Sequence, residues 1–141
     1  IDFGPSSIGL AVCDENNSVI FGKGRISAKK GLQKACEEIN KTINFERITT
    51  VVIGLPLNAE DQDTPQTLKI KRFGNLLMKK AKNIELKYQD ETFSTFEANQ
   101  KMDAIELPNL GRKMHEDELA AIIILERYLK RPATIQPEPE V

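Results

Sequence analysis

Thr49-Thr50-Val51-Val52-Ile53-Gly54-Leu55, stopped by Pro56, is the stretch that decides the fold. Its β-branched, almost wholly apolar run is what a strand buried on both faces of a parallel sheet requires, because helices on both faces leave no side for polar residues. Parallel strands need crossovers, so helices must flank this one in sequence. Upstream, Leu32, Cys36, Ile39 and Ile43 stand four, three and four residues apart, the stripe of an amphipathic helix introduced by Lys29-Lys30-Gly31. Downstream, Thr64-Pro65 reads as an N-cap followed by proline at the first helical position, and Ile70, Phe73, Leu77 and Ala81 continue at helical spacing.

Farther out, residues 8–13 and 19–26 are β-rich runs flanking the turn cluster Asp14-Glu15-Asn16-Asn17, which predicts a hairpin following a first strand that carries Asp2. Ile84, Leu86 and Tyr88 alternate with polar residues as a strand. Ser94 with Glu97 forms the capping box of a third helix, and Glu116–Lys130 makes the last one. Residues 131–141 carry three prolines and no periodicity, which predicts a disordered tail. The order β-β-β-α-β-α-β-α-α predicts a single α/β domain over residues 1–130 with a five-stranded mixed sheet flanked by helices. Its first three strands should be antiparallel and the last two parallel to the first, with the Asp2 strand beside residues 49–55.

A chain of 141 residues is about one domain at roughly 150 residues each. Lys+Arg 20 against Asp+Glu 21 leaves a net charge of −1, and 29% charged with 40% hydrophobic residues is soluble globular composition rather than disorder. A nucleic-acid role must therefore rest on a local basic patch. Cys13 and Cys36 lie far apart, with no zinc spacing and no disulfide framework, which points to a reducing cytoplasm. The longest apolar run, residues 119–125, is too short to span a bilayer, and no signal region opens the chain, so no membrane partner is expected. The opening on Ile1-Asp2-Phe3-Gly4 without Met predicts residues upstream of the first strand.

In open α/β sheets the ligand crevice lies beyond the carboxyl ends of the strands. Asp2 lies in the opening strand, followed by Gly4, which allows a tight turn toward a ligand. Asp90-Glu91 ends the strand begun at Ile84. Asp117 sits in the first turn of the last helix, just before its apolar run, so packing that run pulls a carboxylate toward the core. Three such acids from three elements are the hard oxygen ligands that hold Mg²⁺ or Mn²⁺ at roughly 3.5–4 Å separation in two-metal phosphodiester hydrolysis. Singly, each acid also has an ordinary role: Asp117 at a helix dipole, Asp90 in a turn, Asp2 at a frayed end. Only the set is informative. His115 is expected to be solvated at a helix entrance, without a catalytic role.

These residues resemble the YqgF/RuvX family of the ribonuclease H-like superfamily, from residue 1 to about residue 129. Asp2-Phe3-Gly4-Pro5-Ser6-Ser7-Ile8-Gly9-Leu10-Ala11 resembles the opening D-x-G-x-K-R-I-G-x-A motif. Gly54-Leu55-Pro56-Leu57-Asn58 matches G-L-P-x-N, and Pro65 with Lys71-Arg72-Phe73 resembles the helix that follows. Asp90-Glu91-Thr92-Phe93-Ser94-Thr95 is similar to D-E-R-x-[ST]-T. Asp117-Glu118-Leu119-Ala120-Ala121-Ile122-Ile123-Ile124-Leu125 resembles the closing D-x-x-A-A-x-x-I-L helix. D-x-G alone also opens actin and hexokinase-type ATPases, but those hold nucleotide between two domains and this chain has length for one.

The resemblance implies a ribonuclease H-like fold and a metal-dependent nuclease. The implied substrate is structured RNA, in 5′-end maturation of pre-16S ribosomal RNA, or branched DNA, as a Holliday-junction resolvase like RuvC. Carried over by position, Asp2, Glu91 and Asp117 would be catalytic, and Asp2, Asp90 or Glu91, and Asp117 would bind Mg²⁺ or Mn²⁺. Gly4, Ser6, Ser7, Asn58, Lys71, Arg72, Arg112 and Lys113 would face the substrate. The departures fall on that side: Ser6-Ser7 stands where the family has Lys-Arg, and Thr92 where it has Arg, so three phosphate-pairing cations are absent. Arg112-Lys113 and the basic second helix, with Lys69, Lys71, Arg72, Lys79, Lys80 and Lys82, offer replacements, although charge runs also serve as solvated faces. The competing expectation is a binding module with weakened catalysis that joins ribosome-assembly factors, as a monomer or homodimer.

Overall fold

The computed structural model describes residues 1–56, 63–91 and 116–130. Strand β1 (Asp2–Phe3) runs antiparallel to β2 (Ser7–Cys13), with Asp2 opposite Gly9 and Phe3 opposite Ile8. β2 runs antiparallel to β3 (Ile20–Ser27), as the hairpin pattern predicts. The turn between them forms because the Asp14 carboxylate accepts the N–H groups of Ser18 at 2.7 Å and Val19 at 3.1 Å, while Asn17 takes the left-handed φ of 58° that asparagine tolerates. Between Gly9 and Ala11 the register shifts, and β3 bulges around Gly24, whose φ of 76° favours glycine.

Helix α1 (Leu32–Glu46) buries Ala35, Cys36, Ile39 and Ile43, the face set by their spacing. It leads to β4 (Thr50–Leu55), which pairs in parallel with β5 (Glu85–Asp90) through the crossover helix α2 (Pro65–Lys80). Pro65 opens α2 and Thr64 caps it, in a reciprocal box: the Thr64 hydroxyl accepts from the N–H of Thr67, and the N–H of Thr64 donates to the Thr67 hydroxyl. Glu116–Lys130 forms helix α3 over the predicted span. The helix expected from Ser94 and Glu97, and the tail expected over residues 131–141, lie outside the described residues.

The strands fall into a three-stranded antiparallel sheet, β1-β2-β3, and a two-stranded parallel sheet, β4-β5, rather than one ladder. The reason is the brevity of β1. It meets β4 only through Ile1, whose nitrogen donates to the Val52 carbonyl at 2.8 Å and whose carbonyl accepts from the N–H of Gly54 at 3.0 Å. The predicted neighbourhood of the Asp2 strand and residues 49–55 is present in those two bonds.

Strand alternation sorts side chains between two layers. Ile8, Leu10, Val51, Ile53 and Leu55 join Ile39, Ile70, Phe73 and Leu77 in the main core, under α1 and α2, and Phe3 stacks on Phe73 with ring centroids 4.6 Å apart. The opposite face receives α3, which reaches all five strands. Its buried Leu119, Ala120, Ala121, Ile123 and Ile124 leave it apolar around most of its circumference, as a helix laid across a sheet requires. Each fully buried Ile or Leu contributes about 1.5–3 kcal/mol of transfer free energy, so α3 is held by its apolar run and carries its first turn with it.

Candidate active site

The first turn of α3 lands on β2 because Gly9 has no side chain. A Cβ there would stand 2.9 Å from the Glu118 nitrogen and closer still to the Asp117 carbonyl, so the helix backbone rests directly on the strand backbone. Two residues earlier on the same face, the Ser7 hydroxyl donates a hydrogen bond to Asp117 Oδ2. Asp117 Oδ1 accepts the N–H of Glu118 at 3.0 Å. Arg25 lies opposite Gly9 on β3, its Nη1 3.9 Å from Asp117 Oδ2. Asp2, also opposite Gly9, shares this face.

The third acid arrives from β5. The N–H of Glu91 donates to the Leu55 carbonyl at 3.3 Å and carries the parallel ladder one residue past Asp90. Gly54 makes room beside it, since a Cβ there would stand 3.1 Å from the Glu91 Cβ and would run into Ile124 Cδ1. The Glu91 carboxyl hydrogen-bonds to the Asp2 carboxylate. Burial, the neighbouring Asp2 charge and that bond push Glu91 up to about 7 from an ordinary 4.5, so below that pH it keeps a proton that Asp2 can accept. Burial raises Asp2 as well, with the Asp117 charge adding to it, while the bond from Glu91 opposes the rise. Of the expected alternatives, Glu91 meets Asp2. Asp90 sits opposite Leu55, and alternation gives it the other face of the strand.

Among the described residues, no three or more Asp, Glu, His or Cys side chains form a ready metal-holding group. Glu91 is turned to Asp2, and Asp117 to Ser7, which spreads the oxygens that a cation would gather. The chemistry of the donor set nevertheless fits a hard divalent ion: all three groups are carboxylates, and burial raises two of them.

The other expected residues are distributed less tightly. Gly4 closes the β1–β2 turn, its N–H donating to the Ser7 carbonyl at 2.9 Å, and Ser6 is exposed with its carbonyl accepting from the N–H of Ala28 at 2.9 Å. Lys71 pairs with Asp63 at 2.8 Å, and Arg72 is exposed. Both sit on α2, which packs on the sheet face opposite α3, so the fold does not bring them to the acids. Asn58, Thr92, Arg112, Lys113 and His115 lie outside the described residues.

Four residues at the site carry roles that motif spacing does not announce. Gly9 and Gly54 stand inside the quoted motifs, and what each provides is the missing Cβ under an acid-bearing element. Arg25 is reached only through strand register. Glu118 is fully buried, with Oε2 accepting the N–H of Gly24 at 2.7 Å, so it ties the β3 bulge to α3. The signal for it was a charged residue abutting a run that is apolar on every side of a helix.

Carboxylates from β1, the end of β5 and α3, gathered on one face of an α/β sheet, define a carboxylate-centred site on a strand-and-helix frame. Residues 1–131 match the family model RuvX, described as Holliday junction resolvase, and the chain belongs to that family. It is 35% identical over 129 residues to a protein of Carboxydothermus hydrogenoformans named "Putative pre-16S rRNA nuclease", covering 92% of each chain. Relatives with the same name from Caldanaerobacter subterraneus and Heliobacterium modesticaldum are 33% identical over 132 residues and 32% over 133, covering 92% and 94% of this chain and 92% and 88% of theirs.

Proposed function

We propose that this chain is a nuclease that hydrolyses phosphodiester bonds in 5′-end maturation of pre-16S ribosomal RNA, as an endonuclease dependent on Mg²⁺ or Mn²⁺. The observation that carries the reading is the meeting of Asp2 and Glu91, with Asp117 close enough to act on Asp2 electrostatically. The five strands are read as one mixed sheet of order β3-β2-β1-β4-β5, the ribonuclease H-like arrangement, joined at Ile1. Residues 1–130 are read as its single domain.

Asp2, Glu91 and Asp117 would hold the metal, which supplies an activated water and neutralises charge on the leaving oxygen. The remaining work falls to the chain. Ser7 orients the Asp117 carboxylate, Gly9 and Gly54 set the depth of two acids, and the Glu91 proton relieves the repulsion with Asp2 until a cation arrives. No helix among the described residues is long and apolar enough to cross a membrane, and we place the work in the cytoplasm, where the rRNA substrate is made.

The test is incubation of the purified protein with Mn²⁺ on a transcript carrying the 16S 5′ flank and on a four-way DNA junction, with EDTA controls. Metal-dependent cleavage of the transcript alone is expected. Cleavage of the junction alone would support resolvase activity, the description of the matched family. Binding of the transcript without cleavage would replace the enzyme with a ribosome-assembly module.

A further inference from the structure

We propose that Arg25, Lys29 and Lys30, at the end of β3 and in the turn after it, bind the phosphodiester backbone of the substrate RNA beside the acids. The inference deepens the nuclease reading and rests on it.

Register puts Asp2, Gly9 and Arg25 in one row across three strands, on the face that carries Asp117. At 3.9 Å from Asp117 Oδ2, the Arg25 guanidinium lies beyond hydrogen-bonding distance, and its side chain is 47% exposed. It makes no hydrogen bond to the described residues, so its planar fork of donors remains to meet a phosphate. The acid nearby holds the cation at the site without saturating it. Lys23, two residues earlier, differs: it pairs with Glu46 at 2.6 Å.

Beyond Arg25 the strand leads to Lys29 and Lys30, both exposed and without an ion pair among the described residues. Their turn is fastened to the β1–β2 loop, because the N–H of Ala28 donates to the Ser6 carbonyl at 2.9 Å. The two lysines therefore flank the loop in which Ser6-Ser7 offers hydroxyls where a phosphate-binding loop would offer cations. The Ser7 hydroxyl is itself engaged by Asp117. The basic strip on β3 supplies, from the neighbouring strand, the charge that the loop lacks.

The probe is a fluorescein-labelled single-stranded RNA carrying a 16S 5′ flank, titrated by anisotropy in EDTA over a range of KCl concentrations. Each lost phosphate contact takes about 0.7 from the slope of log K against log salt on a single strand, so the triple variant R25A/K29A/K30A should lower the slope by about 2. R25K should keep the wild-type slope, and so should K23A. An unchanged slope in the triple variant, or an equal loss in K23A, overturns the strip. If wild-type protein with Mn²⁺ cleaves the transcript while the triple variant keeps its slope, the strip falls and the nuclease reading stands. Wild-type protein that neither binds nor cleaves RNA overturns both.

Discussion

Gly9 of β2 and the backbone of Asp117 on α3 adjoin with no room for a Cβ between them. Gly9→Ala should therefore lift the first turn of α3 off the strand. The expected cost is about 3 kcal/mol, the upper part of the usual range for overpacking. Cleavage should fall at temperatures where the variant is still folded, because Asp117 moves with the turn. Urea denaturation beside a cleavage assay checks this, and a wild-type midpoint would refute the close contact.

Ser7→Ala removes the hydroxyl that orients Asp117. Losing a hydrogen bond to a charged group should cost about 1.5–3 kcal/mol. Metal affinity should drop by roughly 10–100-fold, the usual result of removing a partner that orients a ligating carboxylate. Titration of Mn²⁺ against cleavage rate would separate this from a loss at saturating metal, which should be small.

Asp2→Asn and Asp117→Asn should each reduce metal-dependent cleavage by more than the roughly 10–100-fold expected of an orienting partner, because each deletes a ligand. Without metal, Asp2→Asn should leave the fold intact and raise its thermal midpoint, since an amide of the same shape escapes both burial of charge and repulsion from Asp117. Cleavage at the wild-type rate by Asp2→Asn would exclude the metal mechanism.

Stability in EDTA should fall as pH rises from about 4.5 toward 7. The folded Glu91 carboxyl keeps its proton up to about 7, whereas the unfolded one loses it near 4.5. In that window the folded state binds more protons, so the free energy of unfolding decreases with pH and levels off above it. Part of the side chain still meets water, so the change should be about 1–2 kcal/mol. Glu91→Gln should flatten the slope, and Mg²⁺ should stabilise wild-type protein more at pH 8 than at pH 5. Parallel denaturation curves for wild type and Glu91→Gln across this range would contradict the shared proton.

Most of the frame was legible in the sequence because it depends on periodicity and caps. Thr64-Pro65 opens α2, Leu32 to Ile43 spacing sets the buried face of α1, and the β-branched run ending at Leu55 is the parallel strand. The sequence also singles out Asp2, Asp90 or Glu91, and Asp117 as a set, and of these the structure brings Glu91 to Asp2. What sequence could not deliver depends on register. The choice of Glu91 over Asp90 follows from which residue continues the ladder beside Leu55, and Arg25 meets Asp117 only because a bulge at Gly24 resets the pairing of β3. The basic run on α2 shows the converse: charge density is readable along the chain, but the sheet face to which it is assigned is not.

The contact between Ser7 and Asp117 joins residues 110 apart in the chain. At a synthesis rate of about 5–20 residues per second, the interval between making the two is about 5–20 seconds. During that time the β1-β2-β3 meander, whose pairings are local, can already fold, while of the three acids it carries only Asp2. The grouping of acids is thus withheld by chain order until β5 and α3 have emerged and docked, and a nascent chain interrupted before α3 is a scaffold that still lacks Asp117.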